Sequence, residues 1–174
     1  RALVAAIAAW GKVTQGQLLD EPKLGLQSIG ADAYERIIGL KTAPLFELAS
    51  ELGIRASKRD HLINLAKQYG RSTGIAFQVC DDACDLKQAH GRKWEDLNPK
   101  MPVSLKALKL KLSPDSDIIT SETYENALKL ATQYVDEAAR IAALFPPTPV
   151  NETLILFPKI CCNAILAECG GSQL

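Results

Sequence analysis

No stretch of this chain alternates apolar and polar residues with the two-residue period of a strand; its apolar positions recur at helical spacing. Only 6% of the residues are aromatic, so composition adds no strand signal either. An all-α fold follows, with Gly, Pro and Asp marking the stops. The pattern predicts a first helix over Leu3–Leu19, ended at Asp20-Glu21-Pro22. A second is expected over Asp32–Leu52, kinked at Pro44 and closed by Gly53. A third runs from Lys58 to Ala89, with Gly70 and Gly74 placed where a neighbour can approach closely. A polar loop from His90 to Pro102 follows. Further helices are expected over Val103–Leu112, Ser121–Leu144 and Asn151–Cys169, the last capped by Asn151 and stopped by Gly170 and Gly171.

With 174 residues, 47% hydrophobic and 23% charged, the chain can bury one core, and a single domain over residues 1–174 is expected. Lys plus Arg and Asp plus Glu are 20 each, so the basic excess of a nucleic-acid binder is missing. The most apolar stretch, Leu154–Leu166, is interrupted by Pro158, Lys159 and Asn163, and no transmembrane segment is expected. The opening Arg1–Ala9 lacks a small-residue cleavage site and does not read as a signal peptide. A cytoplasmic protein is expected. Its five cysteines read as small buried residues of a reduced chain, since neither Cys80/Cys84 nor Cys161/Cys162 has the spacing of a zinc knuckle. The chain opens in mid-helix at Arg1 rather than at Met, so a longer parent is also expected.

The stretch from Gly74 to Leu86 carries the chemistry. It is an apolar helix interrupted by Asp81, Asp82 and Asp85. Asp81 and Asp85 stack one turn apart with Gln78 on the same side, and Asp82 lies about 100° round from Asp81. Bare carboxylates at that spacing repel by about 3 kcal/mol at an effective dielectric near 20. No Lys or Arg occurs between Arg71 and Lys87 to relieve them. A divalent cation removes the cost, and Mg²⁺ suits a site of one or two carboxylates, waters and phosphate oxygens. The alternative is a solvated acidic face, but the apolar flanks favour a cleft. Lys41 and Thr42 precede the Pro44 break, and Arg92, Lys93 and Lys100 follow the Asp-rich helix. Lys41, Arg92, Lys93 and Lys100 are the cations a diphosphate needs beside its metal, although a Lys-rich loop taken alone is usually a solvated surface.

The motifs and their order resemble those of trans-isoprenyl diphosphate synthases. The chain has Gly16-Gln17-Leu18-Leu19-Asp20, then Tyr34 with Ile37, then Lys41-Thr42-Ala43. Phe77-Gln78 leads into Asp81-Asp82 and Asp85, and Gly91-Arg92, Asp96 and Pro99-Lys100 follow, with Arg92 and Pro99 departing from the family's lysine and glycine. The likeness covers roughly the first hundred residues. It implies an all-helical bundle of the isoprenoid synthase type, here lacking its N-terminal helices. It also implies Mg²⁺ and a homodimer.

The implied reaction is the condensation of isopentenyl diphosphate with an allylic prenyl diphosphate. Asp81, assisted by Asp82 and Asp85, would hold a magnesium ion, and Lys41, Lys100, Arg92 and Lys93 would contact diphosphate. Thr42 and Gln78 would lie beside the carbocation, supported from a neighbouring helix by Gln17 and Asp20. His61 and His90 are lone and read as surface residues. The family's earlier Asp-rich motif is absent, so the isolated chain is expected to be inactive and its parent to be the enzyme. The rival reading is a non-catalytic synthase-like partner subunit, which would have no need of Lys41, Gln78 and the three aspartates. A related terpene cyclase is disfavoured, because no later helix carries an Asn/Ser/Glu metal triad.

Overall fold

The computed structural model describes residues 2–23, 30–97 and 101–174. Within them run α1 (Ala2–Asp20), α2 (Ala33–Lys41), α3 (Ala43–Ala56), a 3₁₀ turn (Asp60–Leu62) and α4 (Ile63–Gln88). After these come α5 (Trp94–Leu97), α6 (Val103–Leu112), α7 (Ser121–Ala142) and α8 (Asn151–Glu168). There is no strand among the described residues, only one isolated bridge between Lys93 and Ile118. The all-α reading is correct, and no described helix is long and apolar enough to cross a membrane.

The centre of the bundle is α4, flanked along its length by α3 and α7 and crossed by α2 and α8. Its buried Ile75, Ala76, Val79, Cys80, Ala83 and Leu86 meet Tyr34, Ile37 and Ile38 of α2 and Ala127 and Ala131 of α7 in one core. Two glycines set how closely α3 can lie. A Cβ on Gly70 would stand 2.7 Å from the Phe46 carbonyl carbon, and one on Gly74 would stand 2.9 Å from the Ala43 Cα.

Several expected boundaries are corrected. The single kinked helix over Asp32–Leu52 is two helices. The ladder breaks at Thr42, and Pro44 falls in the first turn of α3, where a missing N–H costs nothing. Gly53 does not stop α3, which continues to Ala56. The third helix starts at Ile63 rather than Lys58, after the 3₁₀ turn. The loop after α4 contains α5 and is pinned to the segment before α7 by Gly91 N–H to Ile119 O at 2.9 Å and Trp94 N–H to Asp117 O at 2.8 Å. Asn151 is the first residue of α8 and not its cap. Its Oδ1 accepts from the Thr148 N–H at 2.8 Å and closes the preceding turn.

The cysteine reading is corrected too. Cys84 on α4 and Cys169 at the end of α8 form a disulfide with Cα atoms 5.7 Å apart. The 85 residues between them hide the pair from any local spacing rule. Cys80, Cys161 and Cys162 remain thiols.

The glycine contacts yield a paired expectation. Gly70→Val forces α3 away from α4 and lowers the melting temperature by about 5–10 °C. A methyl group added at Gly53 would meet no atom within 4 Å, so Gly53→Ala leaves the melting temperature unchanged or slightly higher. Equal melting temperatures for the two variants would contradict this packing.

Candidate functional site

The three aspartates of α4 face two different environments. Asp81 and Asp85 are exposed, whereas Asp82 is buried. From α2, the Tyr34 hydroxyl donates to Asp82 Oδ2 at 2.8 Å. Gln78 Nε2 donates to Asp82 Oδ1 at 3.1 Å and to Asp81 Oδ2 at 3.0 Å. Both amide hydrogens of Gln78 are thereby committed to carboxylates, so its Oε1 turns to Thr42, whose hydroxyl donates to it. Thr42 reaches this position because it sits in the gap between α2 and α3.

The last residue of α2, Lys41, donates from Nζ to Asp20 Oδ2 at 2.7 Å. The other oxygen of Asp20 accepts the Ser104 N–H at 2.7 Å, satisfying a free donor in the first turn of α6. One buried carboxylate thus ties together the ends of α1, α2 and α6. Gly16 makes this possible. A Cβ there would lie 2.6 Å from the Lys41 Cα, so only glycine lets α1 cross α2 closely enough for Asp20 to meet Lys41.

The electrostatics follow from burial. Desolvation pushes Asp82 up to about 7, with Asp81 adding to the rise and the Tyr34 and Gln78 hydrogen bonds and the Lys41 charge opposing it. Tyr34 is raised well above its ordinary value, by burial first and Asp82 second, and remains a donor. Burial acts to lower Lys41, but the hydrogen bond and charge of Asp20, with Asp82 and Asp81, leave it raised and firmly cationic. Asp85 is raised by burial and by the charge of Asp81.

Among the described residues, no three His, Cys, Asp or Glu side chains converge into a closed metal cage. The donors on offer are two outward carboxylates one turn apart, in a repulsion that Asp85 registers. That fits a hard cation which keeps waters and takes phosphate oxygens, as Mg²⁺ does, and does not fit structural zinc.

A cavity of about 400 Å³ opens beside the end of α4, lined by Asp85, Gln88, Arg92, Asp96, Met101 and Leu105 among others. A larger apolar cavity of about 460 Å³ lies near the start of α4, between Ile54, Tyr69, Phe145 and Leu154, and includes none of the candidate residues. Of the candidate residues, the smaller cavity takes in Asp85 and Arg92.

Of the expected residues, Thr42, Gln78, Asp81 and Asp82 form one hydrogen-bonded group and Lys41 with Asp20 a second, joined to the first through the Lys41–Thr42 peptide, and Arg92 shares a cavity with Asp85. Lys93 is exposed and pairs with Glu95 at 3.6 Å, and Gln17 is exposed on α1. Lys100 lies outside the described residues. His61 and His90 are exposed, as expected. Sequence reasoning gives no role to Tyr34, to the Ser104 N–H or to Asp96. Tyr34 is visible in the sequence as a large residue one turn before Ile37, but its partner is 48 positions away.

The sequence model of the family described as "Polyprenyl synthetase" matches residues 2–140. Geranylgeranyl diphosphate synthase of Sulfolobus acidocaldarius is 33% identical over 75 residues, 42% of this chain and 23% of that protein. Octaprenyl diphosphate synthase of Escherichia coli is 33% identical over 95 residues, 52% of this chain and 29% of that protein. Among solved structures, geranylgeranyl pyrophosphate synthetase from Pyrococcus horikoshii superposes with a TM-score of 0.69 at 19% identity, covering 93% of this chain and 58% of that one. Polyprenyl synthase from Caulobacter crescentus, complexed with calcium and isoprenyl diphosphate, gives 0.66 at 23% identity, covering 92% and 58%. The chain therefore spans under two thirds of the length of each of these proteins.

The buried carboxylate predicts a pH dependence. A folded-state value near 7 against the usual 3.8 means that the folded chain holds a proton the unfolded chain has released across that interval. Asp82 therefore favours the fold most below about pH 4, and its contribution declines as pH rises to about 7 and is flat above. Urea midpoints of the metal-free chain and of Asp82→Asn, measured from pH 4.5 to 8, should show the wild type losing ground to the variant by a few kcal/mol. A difference that stays constant over this range contradicts the burial of a lone proton-binding carboxylate.

Proposed function

Because the chain belongs to the polyprenyl synthetase family, we propose that it is the C-terminal part of a prenyltransferase that condenses isopentenyl diphosphate with an allylic prenyl diphosphate. The observation that carries the reading is the network Thr42–Gln78–Asp81/Asp82–Tyr34, with the Asp20–Lys41 pair next to it in the chain and the outward Asp85 one turn on. An interaction-only subunit has no use for this group.

Asp81 and Asp85 are the residues that would hold Mg²⁺, and Asp82 steadies Asp81 from within through their shared donor Gln78. Bound there with diphosphate oxygens, the cation would supply the electrophilic pull that lets an allylic C–O bond ionise. The calcium and isoprenyl diphosphate in the Caulobacter crescentus protein support a divalent-cation reading. Lys41, kept cationic by Asp20, places positive charge where the departing diphosphate gathers negative charge, with Arg92, Lys93 and Lys100 neutralising the remainder. Thr42 Oγ1 and Gln78 Oε1 turn oxygen lone pairs toward the allylic carbons. The aspartates that hold the Gln78 nitrogen keep the oxygen, rather than the N–H groups, facing the developing cation. The departed diphosphate takes the proton lost after condensation.

The rest of the site belongs to the whole protein. Leu3, Val4, Ile7 and Trp10 project from α1 with 61–72% exposure, which supports a cover over this face in the intact protein; that protein is proposed to be a cytoplasmic homodimer.

The test is incorporation of labelled isopentenyl diphosphate by the full-length protein, with dimethylallyl, geranyl or farnesyl diphosphate as acceptor. Chain extension should require Mg²⁺. Gln78→Ala should lower kcat by about 100-fold or more while KM changes little, and the isolated chain should show no turnover. Absence of any extended product from the full-length protein would overturn the proposal in favour of a partner subunit.

A further inference from the structure

The faces of α4 and α8 that meet carry two rungs of sulfur. Cys80 and Cys84 stand one turn apart on α4, opposite Cys162 and Cys169. The inner rung, Cys80 with Cys162, is a pair of free thiols in which both residues are 0% exposed. The outer rung is the Cys84–Cys169 disulfide, and Cys169 is partly exposed at the end of α8. Only the outer rung is within reach of an external thiol.

What the outer rung holds is an ordered chain end. Gly170, at φ +61°, ends α8 in the left-handed conformation, with Gly170 N–H to Ala167 O at 3.1 Å and Gly171 N–H to Leu166 O at 2.7 Å. Lys87, in the last turn of α4, donates to the carbonyls of Cys169 and Gly170 and lies over the Tyr124 ring. The Tyr124 hydroxyl accepts the Ser172 N–H at 3.1 Å, and Asn163 Oδ1 accepts the Leu174 N–H at 2.8 Å. Apart from the covalent bond and the packing of Leu174 on the core, these ties are polar and either exposed or only part-buried, the kind that open first. The same turns of α4 carry Asp85.

We propose that Cys84–Cys169 is a thiol-exchangeable clamp: oxidised, it locks the end of α8 and residues 170–174 across the last turns of α4, and reduced, it lets them open. Reduction begins with attack of an external thiolate on the sulfur of the partly exposed Cys169. The S–S bond breaks, and the Cys84 sulfur leaves and takes a proton. A second external thiol then resolves the mixed disulfide, so that the protein disulfide and two RSH give two protein thiols and RSSR. Oxidation is the reverse, with a low-molecular-weight disulfide as oxidant. A bond of this kind in a reducing compartment is an exchanging one rather than a permanent staple. The clamp lies outside the proposed prenyl transfer, and thiol chemistry reports it without any substrate.

The experiment equilibrates the chain with glutathione disulfide or with dithiothreitol and counts thiols in denaturant. Three are expected when oxidised and all five when reduced, while Cys169→Ser gives four in both. Oxidation should raise the melting temperature by about 5–15 °C, because the bond closes a long loop. It should also slow hydrogen exchange of the amides near residues 86–89 and 166–172 by at least about tenfold, and neither change should occur in Cys169→Ser. Five thiols after oxidation, a mapped bond between other cysteines, or oxidised protein that melts and exchanges like the reduced form would each overturn the clamp.

Discussion

Three carboxylates within five residues of one helix, at the centre of a bundle, repel one another at a cost the fold must offset. The chain does this by division. Asp82 turns inward, where Tyr34 and Gln78 occupy its oxygens and Lys41 lies close enough to bias it. Asp81 and Asp85 turn outward, where water or a cation can serve them. Much of the neighbouring architecture follows from that split. Helix α2 must run beside α4 so that its first turn delivers Tyr34 and its last residue is Lys41, and α1 must cross α2 at a glycine so that Asp20 can hold Lys41. The first turn of α6 is then completed by the same Asp20.

The network also fixes direction. A glutamine amide is nearly symmetric in shape, and its function depends on which end faces the reacting carbons. Because Asp81 and Asp82 accept from its nitrogen, the Gln78 oxygen points to Thr42 and the space beyond. The acidic motif therefore acts twice in the proposed reaction, through its outer residues as donors to a cation and through its inner residue as an orienting group. A bare count of acidic residues misses the second role.

How much is legible in the sequence depends on range. Helix identity, the α6 limits and the Gly70/Gly74 contacts follow from local spacing, and the structure agrees with them. Pro44 stands out in the sequence but reads as a kink, because a proline in a first turn and one in a bent helix look alike until the preceding ladder is seen to break at Thr42. Asp20, Tyr34, Lys41, Gln78 and the aspartates emerge from motif order, yet the contacts made by Tyr34 and by Ser104 do not. Their partners lie 48 and 84 positions away, and one of them acts only through its backbone. The disulfide is hidden for the same reason, since two cysteines buried in helical patterns look like core until α8 is laid against α4.

Calorimetric titration of the chain with inorganic diphosphate, with Mg²⁺ or with EDTA, bears most directly on the division of labour within the acidic motif. The comparison is between wild type and the Asp81→Asn, Asp85→Asn double variant, which leaves the inward Asp82 in place. The account predicts binding only when Mg²⁺ is present, and its loss in a double variant that keeps the wild-type fold. Equal binding in EDTA, or by the double variant with Mg²⁺, would mean that the basic residues alone hold diphosphate and that the outward aspartates are a solvated face.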